Sequence, residues 1–191
     1  ATFVHFHGHP FTSHASIDKA RELVRVLAPY QLGAHLMLIP FGELQRQVTV
    51  TVPGPLRVVV YRRLMLRIAE ALAARVHARA LVTGDAVGQV ASQTLENLTN
   101  IAQASNLEIL RPLVGMDKDE IADYAARIGT LTISNIPDQD CCTLFTPRHP
   151  ATRTRLNDLL QAEAALPIDA MVSAAVAGAV VEEFRFPMLS R

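Results

Sequence analysis

The sequence lacks a net charge, since 18 lysine and arginine residues balance 18 aspartate and glutamate residues at an isoelectric point of about 7.3. No overall basic field therefore favours nucleic-acid binding, although a local cluster of arginines remains compatible with it. The sequence also lacks an apolar run near the roughly 18 residues that a membrane span requires, and its start shows no signal-peptide pattern. With 50% hydrophobic residues, the chain is expected to be a folded cytoplasmic protein without a membrane partner.

Cysteine is scarce, and its two occurrences, Cys141 and Cys142, are adjacent. Neighbouring cysteines rarely form a structural disulfide because the ring that they would close is strained. In a reducing compartment such residues are inert thiols, metal ligands or catalytic groups. A nearby cation such as Arg148 would favour the reactive thiolate, whereas Asp138 and Asp140 would oppose it. The residues alone leave all three roles open.

Strand-like and helix-like segments alternate along the chain. Helical spacing from Ser16 to Pro29, from Gln93 onward, after Asp117, from about Thr152 and after Pro167 predicts helices. The segments that predict strands are "TFVHF", "AHLMLIPF", "ALVTG", "LEILRP", "LTIS" and "AVVEEF". "VTVTVPGPL" is ambiguous between a strand and a loop because its prolines break a ladder. This alternation predicts an α/β, Rossmann-like fold, a mostly parallel sheet with helices on both faces.

A long amphipathic helix is the clearest predicted element. Its apolar face is formed by Leu64, Ile68, Leu72 and Val76. Arg63, Arg67 and Glu70 are expected on the opposite, solvated face. Arg62, Arg63 and Arg67 open this helix, where one arginine is within reach of a ligand at the sheet edge.

Four histidines occur in "VHFHGHPFTSH", at the end of the first predicted strand. Imidazole is a common zinc ligand, so a metal-dependent hydrolase that uses His5, His7 and His9, together with the cysteines, is one hypothesis. Such a hydrolase also needs nearby carboxylates, and the next acidic residue is Asp18, inside the first helix. The alternative is that these histidines are polar groups of a strand end and its loop.

The segment "TGDAVGQVASQT" contains two glycines, Gly84 and Gly88, between a predicted strand and a predicted helix. Glycine permits close backbone approach to a ligand, and a helix N-terminus favours negative charge. The chain contains neither a Gly-x-Gly-x-x-Gly pattern nor a Gly-Lys-Ser/Thr pattern, so the segment is equally compatible with a simple turn. A non-enzymatic nucleotide-binding or assembly module is a further hypothesis.

Five segments together resemble one family. In chain order they are "HFHGHPFTS", "YRRLMLRIAE", "LVTGDAVGQVASQTLENL", "LRPLVGMDKDEIADYAARIGT" and "DCCTLFTPRHP". They resemble the catalytic domain of the tRNA 4-thiouridine synthetases, also called tRNA sulfurtransferases, which also act in thiazole formation for thiamine biosynthesis. The resemblance implies an adenine-nucleotide α-hydrolase-like domain that binds ATP and adenylates a tRNA uridine, after which a persulfide delivers sulfur.

The resemblance also implies roles for particular residues. His5 and Phe6 match a strand-end pair that contacts adenine. Arg62 matches a basic contact to the nucleotide at the helix start, Gly84 the glycine that ends the "VTG" strand, and Gln93 the glutamine that opens the next helix. Cys141 matches the cysteine that transfers sulfur, and Cys142 is its neighbour, able to substitute for it or to resolve it.

The implied cofactor is ATP with Mg²⁺, and no tightly bound metal is expected. The implied partners are tRNA and a persulfide donor, either a cysteine desulfurase or a rhodanese-type domain. The family's Ser-Gly-Gly-x-Asp-Ser phosphate loop is expected upstream of Ala1, and the RNA-binding THUMP module and rhodanese tail are absent from residues 1–191. We therefore expect an N-terminally truncated catalytic domain that is inactive alone. The sheet position left open predicts a homodimer.

Overall fold

The computed structural model describes residues 1–137, 145, 147 and 149–185. Its strands are β1 (Thr2–His7), β2 (Gly33–Pro40), β3 (Ala80–Val82), β4 (Glu108–Leu110) and β5 (Val180–Arg185). Its α-helices are α1 (Ala15–Leu27), α2 (Gly42–Thr51), α3 (Arg57–Arg75), α4 (Leu95–Ala102), α5 (Lys118–Arg127), α6 (Leu131–Ser134), α7 (Leu156–Ala164) and α8 (Ile168–Ala177). Short 3₁₀ turns occupy Ala28–Gln31, Gly54–Leu56 and Ala91–Gln93.

Strands β1, β2 and β5 form a three-stranded sheet in the first of two compact units, whose described residues are 1–42, 118–137 and 178–185. β1 pairs with β2 in parallel, with His5 opposite Leu38, whereas β5 pairs antiparallel with β2. Arg21 of α1 binds Glu182 of β5 at 2.6 Å. The apolar core between α1 and this sheet consists of Phe3, Ile17, Ala20, Val24, Ala28, Ala34, Leu36, Leu38 and Phe184.

The second unit comprises 43–117 together with the described residues of 145–177, and it is mainly helical. Its two strands, β3 and β4, pair in parallel, with Leu81 opposite Ile109. Helix α3 lies at its centre and contacts α4, α7 and α8. The buried residues of α3 are Val59, Val60, Tyr61, Arg63, Leu64, Leu66, Ile68, Leu72 and Ala73. Because these cover most of its circumference, α3 is a core helix and not a surface helix with one apolar face.

The ambiguous segment "VTVTVPGPL" is neither a strand nor a simple loop. Its first residues form the last part of α2, and Gly54–Leu56 is a 3₁₀ turn. Leu44, Val48 and Val52 are buried four residues apart, which is helical spacing. The hydroxyl of Thr49 donates to the Gln45 carbonyl at 2.8 Å, as threonine does inside a helix. The alternation of valine and threonine therefore misled the sequence interpretation.

Two further predictions need correction. "LTIS" was predicted to be a strand but is the short helix α6, in which Ser134 N–H donates to the Thr130 carbonyl at 2.9 Å. Gln93 does not open a helix, because it ends a 3₁₀ turn and α4 begins at Leu95. The N-cap of α4 is Thr94, whose hydroxyl accepts a hydrogen bond from Asn97 N–H at 3.2 Å.

Arg63 was predicted on a solvated face, yet it is 1% exposed. It binds Glu163 of α7 through Nε at 2.7 Å and Nη2 at 3.0 Å, and its Nη1 donates to the Asn100 carbonyl. Arg67 binds the same carboxylate through both terminal nitrogens at 2.8 Å. The sequence could not show this arrangement because Glu163 lies about a hundred residues away, in another helix.

The predicted α/β class agrees with the observed elements, and both the β1–β2 and β3–β4 pairs are parallel. The described strands form two sheets, one of three strands and one of two. No single helix in the described part of the chain is long and apolar enough to cross a membrane. Helices α7 and α8 reach that length and composition only when they are taken together across a 74° bend.

Candidate functional site

Polar side chains gather at the carboxyl end of β3 in the second unit. The ladder to β4 continues as far as Thr83, whose N–H donates to the Leu110 carbonyl at 3.0 Å. Gly84 follows, and a Cβ placed there would meet no atom within 4 Å, so open space adjoins its backbone. Asp85 comes next and is only 4% exposed. In open α/β sheets ligands bind at the carboxyl ends of parallel strands, which makes this strand end the candidate site.

Asp85 is the centre of a hydrogen-bonded cluster of five side chains, which we call the Asp85 cluster. Arg62 of α3 forms an ion pair with Oδ1. Gln93 Nε2 donates to the same oxygen at 3.4 Å, while Thr83 Oγ1 at 2.8 Å and Arg111 Nε at 3.3 Å donate to Oδ2. The cluster thus joins α3, the end of β3, the turn before α4 and the residue after β4.

Electrostatics keep Asp85 ionised. Burial alone would raise the pKa of the carboxyl, but the charge of Arg62 and the hydrogen bonds from Thr83, Arg62 and Gln93 outweigh it and lower the pKa. Two guanidinium groups face this one carboxylate, and the side chains of Arg62 and Arg111 are 18% and 19% exposed. The described side chains of the cluster therefore carry one excess positive charge, which suits an anionic ligand.

The backbone around Gln93 is held in a compact turn. Gln93 N–H donates to the Val90 carbonyl at 2.8 Å, and Gly88 N–H donates to the Gln93 carbonyl at 3.0 Å. Gly88 has φ +82°, a conformation that favours glycine. Arg62 reaches this turn as well, since its Nη1 donates to the Ser92 carbonyl at 3.3 Å. Open space adjoins both of the glycines predicted to permit close approach, and Gly88 in addition closes the turn with its positive φ.

Arg111 connects the Asp85 cluster with a shallow apolar groove of about 490 Å³. The remaining lining of this groove comes from α4 and the segments that follow α4 and β4: Leu95, Leu98, Thr99, Ala102, Gln103 and Val114. A guanidinium at the margin of an apolar surface suits a ligand that has both a flat apolar part and an anionic part.

His5 and Phe6, the predicted adenine contacts, lie side by side on β1 in the first unit. Both are half-buried, and the Phe6 ring meets Phe41 edge to face with centroids 5.4 Å apart. Phe41 N–H donates to the His7 carbonyl at 2.9 Å, so the ends of β1 and β2 are fixed together. The predicted nucleotide contacts thus divide between units, with Arg62, Gly84 and Gln93 in the second.

The histidine at the end of β1 and the two that follow it form a cluster of rings. His9 and His14 have centroids 4.0 Å apart, and His7 and His9 are 6.5 Å apart. Burial, reinforced by the charges of His5, His9 and His14, lowers the pKa of His7 to about 4. Among the described residues no group of three or more histidine, cysteine, aspartate or glutamate side chains is arranged to hold a metal ion.

Cys141 and Cys142 lie outside the described residues, so their predicted roles remain predictions. The structure does bring Arg62 and Gln93 together, on one oxygen of Asp85. Sequence reasoning missed Asp85 and Arg111. The signal that could have found them is their position in the sequence, because Arg111 directly follows β4 and Asp85 lies three residues after the end of β3, the strand that pairs with β4.

An α/β fold with polar groups gathered at the carboxyl end of a parallel strand is typical of ligand-binding domains. Residues 1–168 match the family model described as "Thiamine biosynthesis protein (ThiI)", and the chain belongs to this family. This confirms the family predicted from the five sequence segments, and it does not favour the metal-dependent hydrolase.

Two relatives support the same assignment. A "Probable tRNA sulfurtransferase" of Thermus thermophilus is 50% identical over 184 residues, which cover 96% of this chain and 45% of that protein. The protein of the same name from Nocardia farcinica is 49% identical over 174 residues, which cover 91% of this chain and 42% of that protein. The chain therefore spans less than half the length of these relatives.

A solved structure confirms the fold. It is a crystal structure of a 4-thiouridine synthetase–RNA complex with bound ATP, which matches with a TM-score of 0.90 and 39% sequence identity. The match covers 95% of this chain and 48% of that chain. The α/β fold predicted from the sequence is thus that of a 4-thiouridine synthetase.

Proposed function

We propose that the protein containing this chain is an ATP-dependent tRNA sulfurtransferase that converts a tRNA uridine to 4-thiouridine. Support comes from the family match over residues 1–168 and from relatives that carry this name. The similar solved structure binds both RNA and ATP. The observation that carries the proposal within this chain is the Asp85 cluster, in which two arginines and a glutamine converge at a strand carboxyl end.

The proposed reaction has two stages. The uridine carbonyl oxygen is a poor leaving group. It therefore first attacks the α-phosphate of ATP, which forms an adenylate and releases pyrophosphate. The terminal sulfur of a Cys141 persulfide then attacks the uridine carbon that carries this oxygen, and AMP leaves with the oxygen. Attack by a second thiol, that of Cys142, on the resulting disulfide releases the thiouridine and leaves a disulfide between the two cysteines.

The described residues have binding roles in this scheme. Arg62 and Arg111 provide guanidinium donors for the anionic part of the nucleotide, and Gln93 provides amide groups. The open space beside Gly84 lets a ligand approach the backbone. His5 and Phe6 provide the adenine contact, with Mg²⁺ accompanying the triphosphate. A cysteine desulfurase or a rhodanese-type domain supplies the persulfide.

The test is a thiolation assay with the complete protein, unmodified tRNA, Mg²⁺-ATP and a cysteine desulfurase with cysteine. We expect 4-thiouridine, with one AMP and one pyrophosphate released for each uridine converted. Cys141→Ser should abolish thiolation and leave ATP binding intact. Thiolation that proceeds equally well without ATP would contradict the proposal.

The family description favours thiamine biosynthesis as a second role. The same persulfide sulfur would then be delivered for thiazole formation. Growth of a thiamine-requiring strain that lacks its own copy, with and without Cys141→Ser, separates the two roles. Rescue by the wild type and not by the variant supports sulfur delivery for thiamine, and failure of both contradicts it.

A further inference from the structure

Asp85 is the residue through which the other members of its cluster are connected. It is itself 4% exposed, yet its two oxygens bind Arg62, Thr83, Gln93 and Arg111, which come from separate elements. We propose that Asp85 is a positioning residue, which fixes the directions of Arg62, Gln93 and Arg111 for nucleotide binding. This inference rests on the proposed function and names a role for a residue that the family resemblance did not single out.

Two atoms of the cluster show that it is incomplete by itself. Arg111 Nη2 and Gln93 Oε1 are buried and have no hydrogen-bond partner among the described residues. An unsatisfied buried polar atom costs free energy, most of all on a charged group. Asp85 holds each group through a different atom of the same side chain, Arg111 Nε and Gln93 Nε2. One atom is a donor and the other an acceptor, which matches a nucleotide, since it offers phosphate oxygens together with hydroxyl and amine donors.

Glu163 provides an internal comparison in the same unit. It is 5% exposed and also binds two arginines, Arg63 and Arg67, through four hydrogen bonds of 2.7 to 3.0 Å. Every terminal nitrogen of its arginines has a partner. The Glu163 cluster is therefore complete as a structural tie between α3 and α7, and the Asp85 cluster is not.

The test uses three variants of the complete protein. Asp85→Asn keeps the shape and removes the charge, and Glu163→Gln makes the same chemical change at the matched position. Thr83→Val removes a single donor to Asp85 Oδ2 and keeps the carboxylate, so it remains informative if Asp85→Asn fails to fold. For each protein, calorimetry gives the Kd of Mg²⁺-ATP, the thiolation assay gives kcat and the KM for ATP, and thermal melting gives Tm.

Asp85→Asn should raise the Kd and KM for ATP about tenfold, since two guanidiniums lose their fixed directions. Thr83→Val should raise them about threefold with little change in Tm, as expected for one lost neutral hydrogen bond. Glu163→Gln should lower Tm and leave the Kd for ATP unchanged. This contrast is not expected if Asp85 is merely structural.

Two results would overturn the positioning role alone: an Asp85→Asn or Thr83→Val protein that binds ATP as the wild type does, or one that binds it more tightly. Tighter binding would mean that the carboxylate only neutralises positive charge. A wild-type protein that fails to bind ATP would instead overturn the proposed function, and the positioning role with it.

Discussion

Burial affects the ionisable side chains of this protein in opposite ways. Burial favours the neutral acid at Asp85 and Glu163, but hydrogen bonds and charges of their arginines outweigh it and lower both pKa values. His7 has no such compensation, because its Nδ1 is buried without a hydrogen-bond partner among the described residues. Its pKa is lowered to about 4 by burial and by the neighbouring histidines. The hydrogen-bonding or charged partner of a buried side chain, and not the depth of its burial, decides whether that side chain is charged.

We therefore expect His7 to be neutral at pH 7. Its pKa in the folded protein lies below its ordinary value of 6.5, so the unfolded chain binds more protons between pH 6.5 and about 4. The corresponding stability is present above pH 6.5 and is lost as the pH falls toward 4. Histidine NMR of the complete protein checks this, with His7→Gln identifying the resonance. A titration midpoint near 6.5 would contradict it.

At the scale of elements, long-range packing decided the cases in which local patterns were ambiguous. In α2 the alternation of valine and threonine resembles a strand, but Val48 is fully buried and Val50 is 79% exposed. In a strand these two residues would share one face, because side chains alternate with a period of two. The hydroxyl of Tyr61, on α3, lies 3.0 Å from the Thr49 hydroxyl and ties α2 to the central helix.

Two substitutions in α2 separate the helix from the strand interpretation. Val48→Ala should destabilise the protein by about 2 kcal/mol, through lost burial and a cavity. Val50→Ala should be neutral or stabilising by about 0.5 kcal/mol, because alanine favours a solvent-exposed helix position over valine. Thermal melting of both variants measures this difference. Equal destabilisation by the two would indicate a shared face and contradict the helix.

At the scale of the whole molecule, the sequence predicted those helices and strands that have a local, periodic pattern of apolar residues. Apart from α2 and α6, the order of strands and helices followed from local patterns, and the α/β class followed with it. The residue contacts of the site did not follow from local patterns, because Arg62 and Arg111 are 23 and 26 residues from Asp85 along the chain and meet it only through the fold. Arg62 and Gln93 were found through the family resemblance, whereas Asp85, which holds them, required coordinates. The buried Arg63–Glu163 pair was missed for the same reason.

The sheet of the first unit has two edge strands of different character. β5 carries Glu182, Glu183 and Arg185, and charged residues on an edge discourage pairing with another chain. β1, "TFVHFH", has no acidic residue, lysine or arginine, and among the described residues it pairs only with β2. An edge strand that lacks lysine, arginine and acidic side chains tends to recruit another strand.

We therefore expect the 191-residue chain to self-associate through β1. Light scattering over a range of concentrations should show a monomer that converts to a dimer. Val4→Lys places a charge on β1 next to Phe3 and leaves Phe3 to pack against the core. It should therefore raise the midpoint, the protein concentration at which half of the chains are dimeric, at least about tenfold. A Glu183→Lys variant changes charge on the opposite edge and should leave the midpoint unchanged. A chain that stays monomeric at high concentration, or one that Val4→Lys does not affect, would show that β1 is not the associating edge.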